Sequence, residues 1–140
     1  MKKILSIFLL STLLFGADND LRLESRIYYA IAKELTHKIK PQVYMQSNIS
    51  SIKKFSSNFI IVDKCTKADI IFVTYLKEIQ KECEGKIFFG SRHKTLQKEQ
   101  TIGAFFWQKG RPNILFYKSR LEQYGIELNQ HFKKYIDNEK

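Results

Sequence analysis

The stretch "ADIIFVTY", residues 68–75, decides how the chain is to be read. From Ile70 to Val73 it is apolar without alternation, so both faces of the strand it forms are dry. A strand of that kind belongs inside a sheet covered on each side, and a parallel sheet flanked by helices provides such cover. Outward from it, "NFIIVD" (58–63) and "KIFFG" (86–90) read as further strands, with "KCTK" between the first two runs. Between Tyr75 and Gly85, Leu76, Ile79 and Cys83 recur at helical spacing, and Gly85 is a helix stop. "SRHKTLQKEQ" (91–100) reads as a polar loop or turn.

Upstream, Leu21 to Lys40 predicts a helix, with Ile27, Tyr28, Ile31, Leu35 and Ile39 on one stripe. Asp18 or Asp20 can cap its start and Pro41 ends it. Val43 to Met45 suggests a short strand, followed by a short helix through Phe55 that Ser47 or Asn48 can cap. Downstream, "GAFFWQKGRPNILFYKSRL" (103–121) reads as a strand pair closed by a turn at Lys109–Asn113. Alternation puts Ile102, Ala104 and Phe106 on one side and Gly103, Phe105 and Trp107 on the other. Ile102, Phe106, Ile114 and Phe116 are expected in the core. Leu121, Tyr124, Ile126, Leu128, Phe132 and Ile136 then mark two short helical pieces broken at Gly125. The order of elements predicts an α/β fold: one compact domain, a mostly parallel central sheet with helices on both faces, and a C-terminal antiparallel hairpin.

The chain opens with Lys2 and Lys3 ahead of an apolar run from Ile4 to Phe15. That run is too short to span a bilayer and reads as a cleavable leader over residues 1–17, cut after Gly16 or Ala17. Residues 18–140 then form one domain, exported to the periplasm. Without Lys2 and Lys3, 22 basic residues face 14 acidic ones, a net charge of +8. The lysines are scattered, so the excess suits a solvated surface or an anionic membrane face and not nucleic acid. In an oxidising compartment the only two cysteines, Cys65 and Cys83, read as a disulfide. Closing that loop contributes about 3 kcal/mol by chain entropy. His37, His93 and His131 are too dispersed to suggest a metal site, and no cofactor motif occurs.

Catalytic signatures are missing from the sequence: no Gly-x-Ser-x-Gly elbow, His-Glu-x-x-His, P-loop or dinucleotide fingerprint. Two sets of residues stand out as binding candidates instead. Trp107 and Tyr117, at strand ends with polar handles, and Arg111 in the turn are candidates for a partner surface. Thr74, Tyr75, Ser91 and Arg92 follow two predicted strands, where open α/β sheets hold ligands, and could bind an anion.

The order from Ala68 to Ile136 resembles the YfiR-like periplasmic repressors. The shared pattern is "ADIIFV", a short helix, "KIFFG", and then "IGAFFWQKGRPNILFYKSRLEQYGIELNQHFKKYI". Gly103, Gly110, Phe116, Leu121, Gly125, Ile126 and Leu128 fall at the family's places. The chain departs from it at Ile102, where a doubled glycine is usual, and at Lys118-Ser119, where an Asn commonly stands. The resemblance implies a non-catalytic exported protein that binds the periplasmic domain of an inner-membrane diguanylate cyclase and restrains it, within cyclic-di-GMP signalling. A small periplasmic anion- or solute-binding module is the competing expectation. A homodimer is open under either.

Overall fold

A computed structural model describes the backbone of residues 2–77 and 79–139, and the side chains of 18–77 and 79–139. The leader reading rests on residues 1–17, whose side chains lie outside the described ones. Among the described residues no helix is long and apolar enough to cross a membrane.

Helix α1 (Lys2–Thr36) is followed by β1 (Gln42–Met45), α2 (Ser50–Lys54), β2 (Ile60–Ile61), β3 (Ile70–Val73) and β4 (Ile87–Gly90). The hairpin β5 (Thr101–Gln108) and β6 (Arg111–Tyr117), then α3 (Lys118–Gln123) and β7 (Ile136–Asp137), complete the chain. Among the described residues seven strands form one sheet in the order β2-β1-β3-β4-β5-β6-β7. From β2 to β5 all neighbours are parallel, β5 and β6 are antiparallel, and β7 runs parallel to β6. The fold is α/β with a mostly parallel sheet and a closing hairpin. As its apolar run requires, β3 sits between β1 and β4 and all four of its residues are buried.

The α1 stripe works as expected over one turn after another. Tyr28, Ile31, Ala32 and Leu35 are buried against one face of the sheet. The Tyr28 ring meets Phe72 and Phe105 edge-on at centroid distances of 4.9 and 5.1 Å, the geometry that aromatic quadrupoles favour. Both ends of the helix differ from expectation. Asp18 and Asp20 are interior positions, not caps, and Asp18 pairs instead with Lys54 of α2. The helix stops at Thr36, where His37 turns left-handed with φ of 58° while its amide still bonds Lys33 O. A left-handed residue ends a helix before any proline is needed. Ile39 is therefore outside the helix and 79% exposed.

The reverse face is built differently. Ile71, Val73 and Phe88 lie under Cys65, Ala68 and Cys83, residues of the 3-10 turns Cys65–Lys67 and Lys81–Cys83 and of the bend after the first turn. The predicted helix after Tyr75 is absent among the described residues; only the second of those turns forms. Leu76, which the helical stripe would bury, is exposed, while the bridge to Cys65 draws Cys83 onto the sheet. A third 3-10 turn, His93–Gln97, packs Thr95 against Gly90. A Cβ on Gly90 would overlap the Thr95 side chain, so the connection can pass this close only over glycine.

The hairpin turn is tighter than the sequence suggests. Lys109 and Gly110 alone form it, with φ of 53° and 73°, and Arg111 pairs with Gln108 as the first residue of β6. Two consecutive positive φ values suit the twist of a two-residue hairpin. Strict alternation fails on β5, because the register against β4 slips between Phe88↔Thr101 and Gly90↔Ala104. An extra residue on one strand shifts the facing of those that follow. Ile102 and Phe105 thus both enter the main core, and the half-exposed Phe106 packs edge-on against His93 at 4.8 Å. Phe105, not Phe106, is the core anchor. After Gly125 the second predicted helical piece is also absent; a 3-10 turn, Lys133–Tyr135, leads into β7, where Ile136 pairs with Phe116.

Candidate functional site

In strand order the chain goes from β1 outward to β2, then back across to β3 and on to β5. The carboxyl ends of β1 and β3 flank this change of direction, where open α/β sheets leave a crevice. Gln46 follows β1, Thr74 and Tyr75 follow β3, and Ser91 and Arg92 follow β4. All four residues expected to hold an anion are therefore neighbours. Thr74 Oγ1 and Ser91 Oγ share a hydrogen bond of 2.9 Å, and Ser91 N donates to Val73 O at 2.8 Å. The Arg92 guanidinium lies 5.4 Å from the Tyr75 ring centroid, within cation–π range.

Gln46 is the residue that sequence reasoning missed. Its Oε1 accepts from both Thr74 N and Tyr75 N at 2.8 Å. Two successive amides aimed at one oxygen form the kind of concavity that holds anions, and here a neutral carboxamide fills it. The residue type after β1 carries no signal by itself; only the pairing of β1 with β3 brings Gln46 to the amides. Beneath it lies a cavity of about 130 Å³ lined by Tyr44, Gln46, Cys65, Ile71, Val73 and Gln80, among others. Cys65 on its wall is bonded to Cys83, with Cα atoms 6.0 Å apart, an ordinary span for such a bridge.

The partner-surface candidates are not brought together. Trp107 and Arg111 share the hairpin tip, but their cross-strand partners differ: Trp107 opposes Pro112, and Arg111 opposes Gln108. Trp107 therefore faces the α1 side, where its indole Nε1 donates to Glu24 Oε1 at 2.9 Å, and Arg111 faces the other. Burial, and secondarily the Glu24 carboxylate, push the nearby Tyr28 phenol well above its ordinary range. Tyr117 is at the far end of β6, about 17 Å along the strand from Pro112, and packs under the Arg120 guanidinium at 4.7 Å. It belongs to the opposite edge of the sheet.

Trp107, Tyr75 and Leu76 are 39%, 44% and 40% exposed; Tyr75 and Leu76 follow β3, and Trp107 lies one residue before the carboxyl end of β5. Arg92 and Arg111 are exposed as well. Among the described residues no cluster of three or more His, Cys, Asp or Glu is placed to hold a metal ion. Comparisons with family models, curated proteins and solved structures returned no match.

Proposed function

We propose that this chain is a non-enzymatic periplasmic regulator that binds and restrains an inner-membrane signalling protein, of the diguanylate-cyclase type that the resemblance over residues 68–136 implies. The observation that carries the reading is the set of exposed side chains at the carboxyl ends of the parallel strands: Tyr75 and Leu76 after β3, Arg92 after β4, and Trp107 and Arg111 at the hairpin tip. Trp, Tyr and Arg are the side chains that most often carry interface energy. The Cys65–Cys83 bridge supports export, since such bonds persist in oxidising compartments. The test is capture of a membrane protein from envelope extract by the mature domain. Trp107→Ala should weaken that capture roughly thirtyfold, the effect of a hot spot of about 2 kcal/mol, with an unchanged melting transition. Capture that survives Trp107→Ala combined with Tyr75→Ala would remove this face from the account.

The convergence of Thr74, Tyr75, Ser91 and Arg92 favours a second reading, a small anion- or solute-binding module. An anion on the Thr74 and Tyr75 amides would have to displace Gln46. Gln46→Ala should then bind phosphate or sulfate more tightly than the wild type. Ligand at a hundred times its dissociation constant adds about 2.7 kcal/mol of stability. A flat thermal profile for both proteins across an anion panel eliminates this reading.

A further inference from the structure

At the edge of the sheet away from Trp107, Arg120 is only 5% exposed. Its Nη1 donates to Thr101 O at 2.8 Å and Lys98 O at 2.9 Å, so that corner of the guanidinium is locked to the loop before β5. The Tyr117 ring covers its flat face. Only the Nε/Nη2 edge is served from elsewhere. Nε donates to Glu139 Oε2 at 3.3 Å and Nη2 to Glu139 Oε1 at 2.5 Å, a fork-on-fork pairing. Ser119 Oγ adds a 3.2 Å bond to the same carboxylate.

The receptor and its occupant differ in how firmly they are held. Arg120 is set by β6, α3 and the 98–101 loop. Glu139 is 37% exposed at its side chain and follows a two-residue strand, Ile136–Asp137. Asp137 and Asn138 are exposed as well. A cavity of about 380 Å³ opens there, lined in part by His93, Gln97, Glu99, Tyr117 and Arg120. Of the carboxylates along it, Asp137 ends β7 and pairs with Tyr117, Glu139 lies beyond that strand, and Glu99 belongs to the loop before β5. Lifting Glu139 would open the Nε/Nη2 edge of Arg120 to the cavity without its counter-charge, with Nη1 still fixed by its two carbonyls. A guanidinium edge held in that orientation matches the two oxygens of a carboxylate.

We propose that the Nε/Nη2 edge of Arg120 is a binding site for a carboxylate ligand, and that Glu139 is a tethered competitor which masks it. A group on a short tether competes at an effective concentration in the millimolar range, so the intact chain binds a free carboxylate weakly. Glu139→Gln removes the competing charge from an exposed position and leaves the receptor intact. The experiment follows the Arg120 side-chain Nε–H resonance during titration with succinate, against potassium chloride of equal ionic strength. In Glu139→Gln the resonance should move saturably, at a succinate concentration at least about tenfold below that needed in the wild type. A chain ending after Ile136 should behave like Glu139→Gln. Calorimetric titration of the same proteins gives an independent reading. Equal responses in wild type and variant, or no saturable response in the variant well above the millimolar range, would overturn the proposal.

Discussion

Under α1, Ile70, Phe72 and Phe89 pack against an aromatic and aliphatic helix face, whereas on the reverse side Ile71, Val73 and Phe88 lie beneath short turns and a disulfide. One strand feeds both layers: β3 sends alternate residues to each. The helix side is held by contact area, with Tyr28 wedged between Phe72 and Phe105. Among the described residues the turn side has no α-helix, and its cover is pinned by joining Cys65 to Cys83. Apolar strands can thus be kept dry by an extended helical stripe or by a covalent staple over small elements. The second solution suits a small domain that cannot cover both faces with helices.

The strongest way to break this contrast is in the aromatic layer. Phe72→Ala should cost about 3–5 kcal/mol through lost burial and the cavity left behind, read as a lower denaturant midpoint. Next comes the staple. Replacing Cys65 and Cys83 together by alanine should cost about 3 kcal/mol, by the entropy of the 18-residue loop. Hydrogen exchange should then rise first over residues 62–88, with α1 still protected, because the reverse face alone depends on the bridge. Uniform loosening of both faces would contradict the division of labour described above.

A smaller effect sharpens the comparison at the amino ends of the strands, where Asp69, just before β3, ties the segment after α1 to the start of β1. Its carboxylate accepts from Lys38 Nζ at 2.6 Å, just after α1, and from Gln42 N at 2.8 Å at the start of β1. Partial burial opposes ionisation, yet these hydrogen bonds outweigh it and hold the carboxyl below its usual range. A carboxylate with a depressed folded-state pKa stabilises the fold above its unfolded value, near pH 4. That contribution is lost as pH falls through the folded value. Asp69→Asn should therefore cost about 1 kcal/mol at neutral pH, and the gap to wild type should close on acidification below about pH 4. Denaturation series at pH 7 and in the acid range check both signs.

Much of the main architecture could be read directly. The unbroken apolar run Ile70–Val73 marked an interior strand, Gly110 marked the hairpin turn, and two cysteines in a chain expected to be exported marked the bridge. The α1 stripe was legible over Tyr28 to Leu35, and less so at the ends, where a left-handed His37 outranked Pro41. Helical spacing misled after Tyr75 and after Gly125. There Leu76 stays exposed and Ile136 joins a strand, since pairing with Phe116 outweighs local periodicity. Thr74, Tyr75, Ser91 and Arg92 do come together at the ends of β3 and β4, but Gln46, which fills the Thr74 and Tyr75 amides, carried no signal.

By itself the sequence determined what short-range chemistry can dictate: which runs must be dry, where the chain can turn, and which sulfurs can bond. Tertiary structure alone decided the strand order that brings Gln46 to Thr74, the slipped register that buries Phe105, and the closure of Glu139 on Arg120. Those contacts join residues far apart in the chain. Their geometry depends on how whole elements pack, which no local pattern of residues encodes.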